Sequence, residues 1–218
     1  MPKGSTRRKE RPRFLAPAEY LALLELYGPR ERLAIEINGW LGTRRSEGFG
    51  LKWQDLDLER GVVTFRQGSV AGRISRIKTE ASRTEIGLPE ELRESLTAWK
   101  KLTPYSAPED WVLASPATNG QRPMWPDFML ADYLRPIAEK AGFGRIGWHT
   151  FRHSLSSWGK QVLTLQETKE LSRHANIQTT SDIYGGLSLD AKRAAQERLV
   201  EFVRRARRDE RKSAANRD

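Results

Sequence analysis

The chain has 218 residues, 38% of them hydrophobic and 30% charged, a balance that fits one globular domain large enough to bury a core. It contains no cysteine, which excludes disulfides and thiolate metal sites and makes an intracellular, cytoplasmic location the default expectation. No apolar run reaches membrane-spanning length, and no apolar stretch follows the basic start MPKGSTRRKERPR, so neither a membrane partner nor a signal peptide is expected.

The net charge of +10 sits mostly at the two ends. Residues 1–13 hold six Lys/Arg and one Glu, and residues 204–218 hold seven Lys/Arg and three acids, which leaves the middle nearly neutral. The expected division is a basic flexible arm over 1–13, a folded domain over 14–203 and a basic tail over 204–218. Such arms can stay solvated or lie on the phosphates of nucleic acid, and charge alone does not choose between these.

In chain order, Pro17 suits a helix start, and Leu21, Leu24 and Tyr27 form a helical stripe up to Gly28-Pro29. A second helix is expected over 30–41, with Leu33, Ile37 and Trp40 on one side and Gly42 ending it. A short helix then begins near Arg44–Ser46 and buries Phe49 and Leu51. Strand character follows at 62–65, 73–78 and 83–88, with Gly68 to Gly72 as a turn. These pieces read as a small three-stranded antiparallel sheet. From Pro89 the pattern is mostly helical, over 90–101, 126–141, 150–161, 166–172, 176–183 and 189–208, with a brief strand at Trp111–Ala114. No internal repeat occurs. The expected fold is α+β, a mostly helical single domain with a small three-stranded antiparallel sheet.

Four segments hold side chains that can do chemistry. Gly42-Thr43-Arg44-Arg45-Ser46-Glu47 puts arginine at a helix start, where free backbone N–H groups also favour an anion. Glu47, three residues on, can orient Arg44, though a plain surface ion pair fits the same spacing. The segment 66–84 is a basic stripe: Arg66, Arg73, Arg76, Lys78 and Arg83 face only Glu80. His149 and Arg152 are three apart and share a helix face, joining an imidazole to a planar fork for phosphate oxygens. The run HTFRH spaces His149 and His153 like a metal pair. It lacks a glutamate, however, and places an arginine between the two, so no metal is expected there. Finally, His174 precedes Tyr184 by ten residues, and Gly185-Gly186 follows the tyrosine.

Taken together and in order, G-x-R-x-x-E, a lysine on a β-turn, H-x-x-R, a histidine and a tyrosine resemble the tyrosine recombinases, the phage integrase family. The flanks resemble it too, in GTRRSEGFGLKWQDLDLERG, IKTEASRTEIGLP, WHTFRHSLSSW and LSRHANIQTTSDIYGGLS. The resemblance runs from about Arg13 to Val203. It implies a catalytic set of Arg44, Lys78, His149, Arg152, His174 and Tyr184, with Glu47 supporting the first arginine. It also implies double-stranded DNA as the substrate, cut and rejoined through a 3′-phosphotyrosine on Tyr184 without metal or cofactor. Arg45, Arg73, Arg76 and Arg83 are expected DNA contacts.

The expected partners are other recombinase subunits, with a monomer when free and a tetramer on DNA. The implied setting is bacterial or phage cytoplasm, at the nucleoid. The last helix can pack on a neighbouring subunit or fold back on its own chain. Two departures stand out. Ser172-Arg173 replaces the Gly region usual before the second histidine, and the N-terminal core-binding domain is expected to be absent, which predicts weak, salt-sensitive DNA binding. The rival readings are a type IB topoisomerase, which shares the chemistry, and a non-catalytic DNA-binding module of integrase descent.

Overall fold

The computed structural model describes residues 13–70, 73–76, 85–172 and 188–215. In chain order the elements are α1 (Pro17–Leu24), α2 (Pro29–Trp40), α3 (Arg45–Phe49), β1 (Leu56–Asp57), β2 (Val62–Thr64), β3 (Gln67–Val70), β4 (Arg73–Arg76) and β5 (Glu85–Gly87). They continue as α4 (Glu90–Leu102), α5 (Pro126–Phe128), a π-helical stretch at Met129–Leu134, α6 (Arg135–Lys140), α7 (Trp148–Val162), α8 (Leu165–Ser172) and α9 (Leu189–Ala215). The expected α+β class holds. The expected helix at 176–183 lies outside the described residues.

Proline at N1 opens both α1 and α2, where its missing N–H has no helical acceptor to lose. Their apolar faces meet in an aromatic cluster. The Tyr20 ring lies edge-on to Trp40 at 5.3 Å and to Trp158 at 5.1 Å, so α1, α2 and α7 share one core. Trp158 and Tyr20 are fully covered. Trp158 also donates its indole N–H to the Leu15 carbonyl at 2.9 Å, and Ser154 Oγ accepts the Leu15 N–H at 2.8 Å. These bonds fix the chain entering α1. α2 packs on α4 as well as α7, which makes it the central helix.

The three-stranded sheet is present with a different membership from the expected one. Its order is β1-β2-β5, all antiparallel, with Val63 opposite Ile86 and Leu56 opposite Val63. The segment 73–76 instead forms a separate hairpin, pairing Ser69 with Ile74 and Gly68 with Ser75. Residues 68–70, part of the turn expected from Gly68 to Gly72, therefore belong to a strand. The reason lies in packing against α3. A Cβ on Gly50 would meet the Gly68 Cα at 2.9 Å, so two glycines let β3 approach the end of α3 backbone to backbone. At Trp111–Ala114 the chain makes isolated bridges, Lys52 to Trp111 and Ala114 to Pro123, in place of a strand.

The helix expected over 126–141 is interrupted by the π-helical stretch just before Pro136. Proline removes the N–H that an α-helical turn would need and crowds the carbonyl four residues earlier; a wider turn relieves both. α9 is longer than expected and runs through the basic segment to Ala215. It folds back on its own chain. Ala195, Leu199, Val200 and Val203 are buried, and α9 packs on α1, β5, α7 and α8. Its arginines meet acids across the molecule, Arg204 with Glu91 and Arg207 with Glu25. Among the described residues, no helix is long and apolar enough to cross a membrane.

Candidate active site

α2 ends at Trp40, and Gly42 turns the chain with φ +57°, a conformation that side chains with a Cβ adopt at a penalty. Asn38 supports this turn from below. It donates to the Ala34 carbonyl at 2.8 Å, while its Oδ1 accepts the Thr43 hydroxyl at 3.2 Å. The turn presents Arg44 as the residue before α3. Glu47 holds Arg44 twice: its carboxylate accepts the Arg44 backbone N–H at 2.9 Å and the Arg44 Nη1 at 3.1 Å. The acid is buried, whereas the Arg44 side chain is 45% exposed. The expected support of Arg44 by Glu47 is thus present, with the guanidinium left facing outward.

α7 supplies the second half. Its start is fixed by Thr150, whose Oγ1 accepts the Gly147 N–H at 3.0 Å. Trp148 drives inward, edge-on to Phe49 of α3 at 4.8 Å. That contact packs the first turn of α7 directly against α3. His149 is exposed. Arg152 is the one buried basic side chain among the described residues, and it donates through Nη1 to the Gly42 carbonyl. A buried guanidinium is tolerated only where its donors are occupied, so this bond pins Arg152 to the same turn that presents Arg44. The two arginines are 108 positions apart in sequence and share one backbone turn in space.

His153 lies one position beyond Arg152, its ring 6.1 Å from that of His149. Burial, reinforced by the neighbouring His149 and Arg152 charges, pushes its imidazole down from the ordinary value. Among the described residues, no cluster of His, Asp and Glu could hold a metal ion.

Strand β3 of the β3–β4 hairpin packs on α3. Lys78, Arg83, His174 and Tyr184 lie outside the described residues. Arg73 and Arg76 are on β4. α8 ends at Ser172, just short of His174, and crosses α7 where Gly159 meets Thr168.

Two residues at this site were not anticipated. Asp127 pairs with Arg45, and the Pro126 carbonyl accepts the Trp148 indole N–H at 3.0 Å. The segment 125–128 is therefore clamped to the starts of both α3 and α7. The only local sign of it is Trp125-Pro126-Asp127, which reads as a helix start; nothing in the spacing announces its partners.

A model of the phage integrase family matches residues 9–188. Tyrosine recombinase XerA of Thermococcus kodakarensis is 27% identical over 196 residues, covering 86% of this chain and 62% of the relative. Tyrosine recombinase XerC of Pseudomonas aeruginosa is 28% identical over 156 residues, covering 69% of this chain and 46% of the relative. The chain thus spans about half to three fifths of the length of these curated relatives. Among solved structures, the Tn1549 transposon integrase in complex with transposon right end DNA superposes with TM-score 0.66 at 22% identity, over 88% of this chain and 68% of that one. A XerA recombinase crystal structure superposes with TM-score 0.59 at 20% identity, over 84% of this chain and 63% of that one. These superpositions establish the fold as that of the integrase catalytic domain.

Proposed function

The chain belongs to the phage integrase family, and on that premise we propose that it breaks and rejoins DNA through a covalent 3′-phosphotyrosine on Tyr184. The observation that carries this reading is the bond from buried Arg152 to the Gly42 carbonyl. It gathers two arginines at one turn, as a phosphodiester anion requires.

In-line attack on phosphorus builds negative charge on the non-bridging oxygens, and fixed cations and N–H donors must meet it. Arg44 and Arg152 offer forked donors that match phosphate geometry; His174 would add another. Tyr184 Oη attacks phosphorus while the bond to the 5′-oxygen breaks. A free phenol has a pKa of about 10, so an acceptor for its proton is needed; exposed His149, beside Arg152, is suited to that role. Lys78 would return a proton to the departing 5′-oxygen. A second 5′-hydroxyl reverses the step and releases the tyrosine, so bond energy is conserved.

Double-stranded DNA is the partner in this reading, the protein acting as several subunits on DNA and as a monomer when free. Its place in the cell is the cytoplasm, at the nucleoid. A nicked suicide duplex tests the chemistry. A covalent adduct on wild type that disappears in Tyr184→Phe supports it; no adduct under any condition sinks it. Sedimentation with and without DNA tests the assembly.

A further inference from the structure

Trp125 is 54% exposed, an unusual state for the largest side chain, which ordinarily hides most of its surface. The ring does not sit on a loose loop. On one side the Met124 N–H donates to the Leu113 carbonyl at 2.7 Å, and Met124 is buried. On the other, the Pro126 carbonyl is held by Trp148 and Asp127 holds Arg45. Trp148 and Arg45 are the first residues of α7 and α3. The backbone that carries Trp125 is therefore anchored to the same two helix starts that bear His149, Arg152 and Arg44. Trp125 is two residues from Asp127, the partner of Arg45, and consecutive Cα atoms are about 3.8 Å apart, so the Trp125 backbone lies within about 8 Å of the acid that meets an arginine at the rim of the candidate site.

A flat apolar face, held rigid beside cations, is suited to stacking on a nucleobase. Base–aromatic stacking accepts any base, because every base has a π-face. A paired duplex buries those faces. Passing a cut strand to a new partner must open base steps near the break, and an opened base then offers a face. We propose that Trp125 is a base-stacking residue, packing its ring on a nucleobase that leaves the stack beside the scissile phosphate. This deepens the DNA reading above and rests on it. Arg45, by contrast, is about half exposed and can serve phosphate through the donors left over while its Nη1 stays with Asp127.

The experiment uses the whole chain, with two short fluorescein-labelled duplexes as probes: one fully paired, the other with an unpaired base step at its centre. Binding is followed by anisotropy over a range of salt. Wild type should bind the opened duplex more tightly, and Trp125→Ala should lose that preference, weakening opened-duplex binding about tenfold, within the range for one stacked base. Its salt slope should stay that of wild type. Arg45→Gln should weaken both duplexes alike and lower the slope by about one. Trp125→Leu, which keeps apolar bulk, guards against misfolding; 2-aminopurine at the opened step should be quenched by wild type and not by this variant. Equal binding of both duplexes by wild type, or an unchanged preference in both Trp125 variants, overturns the stacking role alone. Wild type binding neither duplex at low salt overturns the DNA reading itself.

Discussion

Removing the Glu47 carboxylate separates stability from chemistry. Glu47 accepts the Arg44 backbone N–H at 2.9 Å and its Nη1 at 3.1 Å. The first bond caps α3, and such caps contribute about 1 kcal/mol. The second is an ionic hydrogen bond, of about 1.5–3 kcal/mol when sheltered. Here the Arg44 side chain is 45% exposed against 10% for Glu47, and solvent screening cuts the figure to about 1 kcal/mol. Glu47→Ala should therefore cost about 2 kcal/mol, which for a chain of this size is a fall in Tm of about 4–8 °C. Glu47→Gln keeps an oxygen for the N–H and should lose about 1 kcal/mol, the ionic share. The larger effect falls on cleavage. With its fork no longer aimed, Arg44 should slow single-turnover cutting of a suicide duplex about tenfold to a hundredfold in both variants. Wild-type cleavage by Glu47→Ala, measured below its melting temperature, would refute the positioning argument; an unchanged Tm would refute the energetic one.

Gly42→Ala places a Cβ at φ +57° and should cost about 1–2 kcal/mol. It also disturbs the carbonyl that holds Arg152, so cleavage should fall more than binding. Gly42→Asn, which tolerates that backbone better, should recover part of both in melting and cleavage assays. Glu36 is 1% exposed, and burial above all raises its carboxyl from the ordinary value of 4.5, with Ser95 and Arg32 opposing. The folded protein thus holds this proton at higher pH than the unfolded chain does. The associated stability is present below the ordinary value and lost as pH rises through the folded one. Glu36→Gln should gain stability relative to wild type as pH climbs from about 4 to 7; a melting difference that stays flat or falls over that range would refute the burial argument.

The parts of the fold readable from sequence are those whose signals are local. Pro17 marks the start of α1, Gly28-Pro29 the break before α2, and the helical pattern after Pro89 covers α4 and α7. Strand β3 has no local signal, because Gly68-Ser69 reads as a turn; its strand state comes from contact with α3. The third strand of the sheet, Leu56–Asp57, has only two residues and no pattern of its own. The end of α9 runs past the expected 208 because Arg204 and Arg207 find acids on α4 and in the chain just after α1, which no local rule supplies. At the candidate site, Arg44, Glu47, His149 and Arg152 followed from spacing and resemblance. The bond that unites them spans 110 positions, from Arg152 to a backbone carbonyl, and a carbonyl carries no sequence signature. Asp127 is equally illegible in the sequence, because its partner Arg45 lies 82 positions away.

The embrace of α1 by α9 sets an order of events in folding. α1 finds much of its packing surface on α9, and Arg207 reaches Glu25 across 182 positions. Closing so long a loop is entropically late, because nearer contacts form first. On the ribosome, the apolar side of α1 is made before α9 and waits for it. Until α9 emerges, the face of α1 that it covers stays exposed to other chains. A chaperone that holds α1 should therefore be released as α9 docks, and variants that weaken α9 should aggregate through α1.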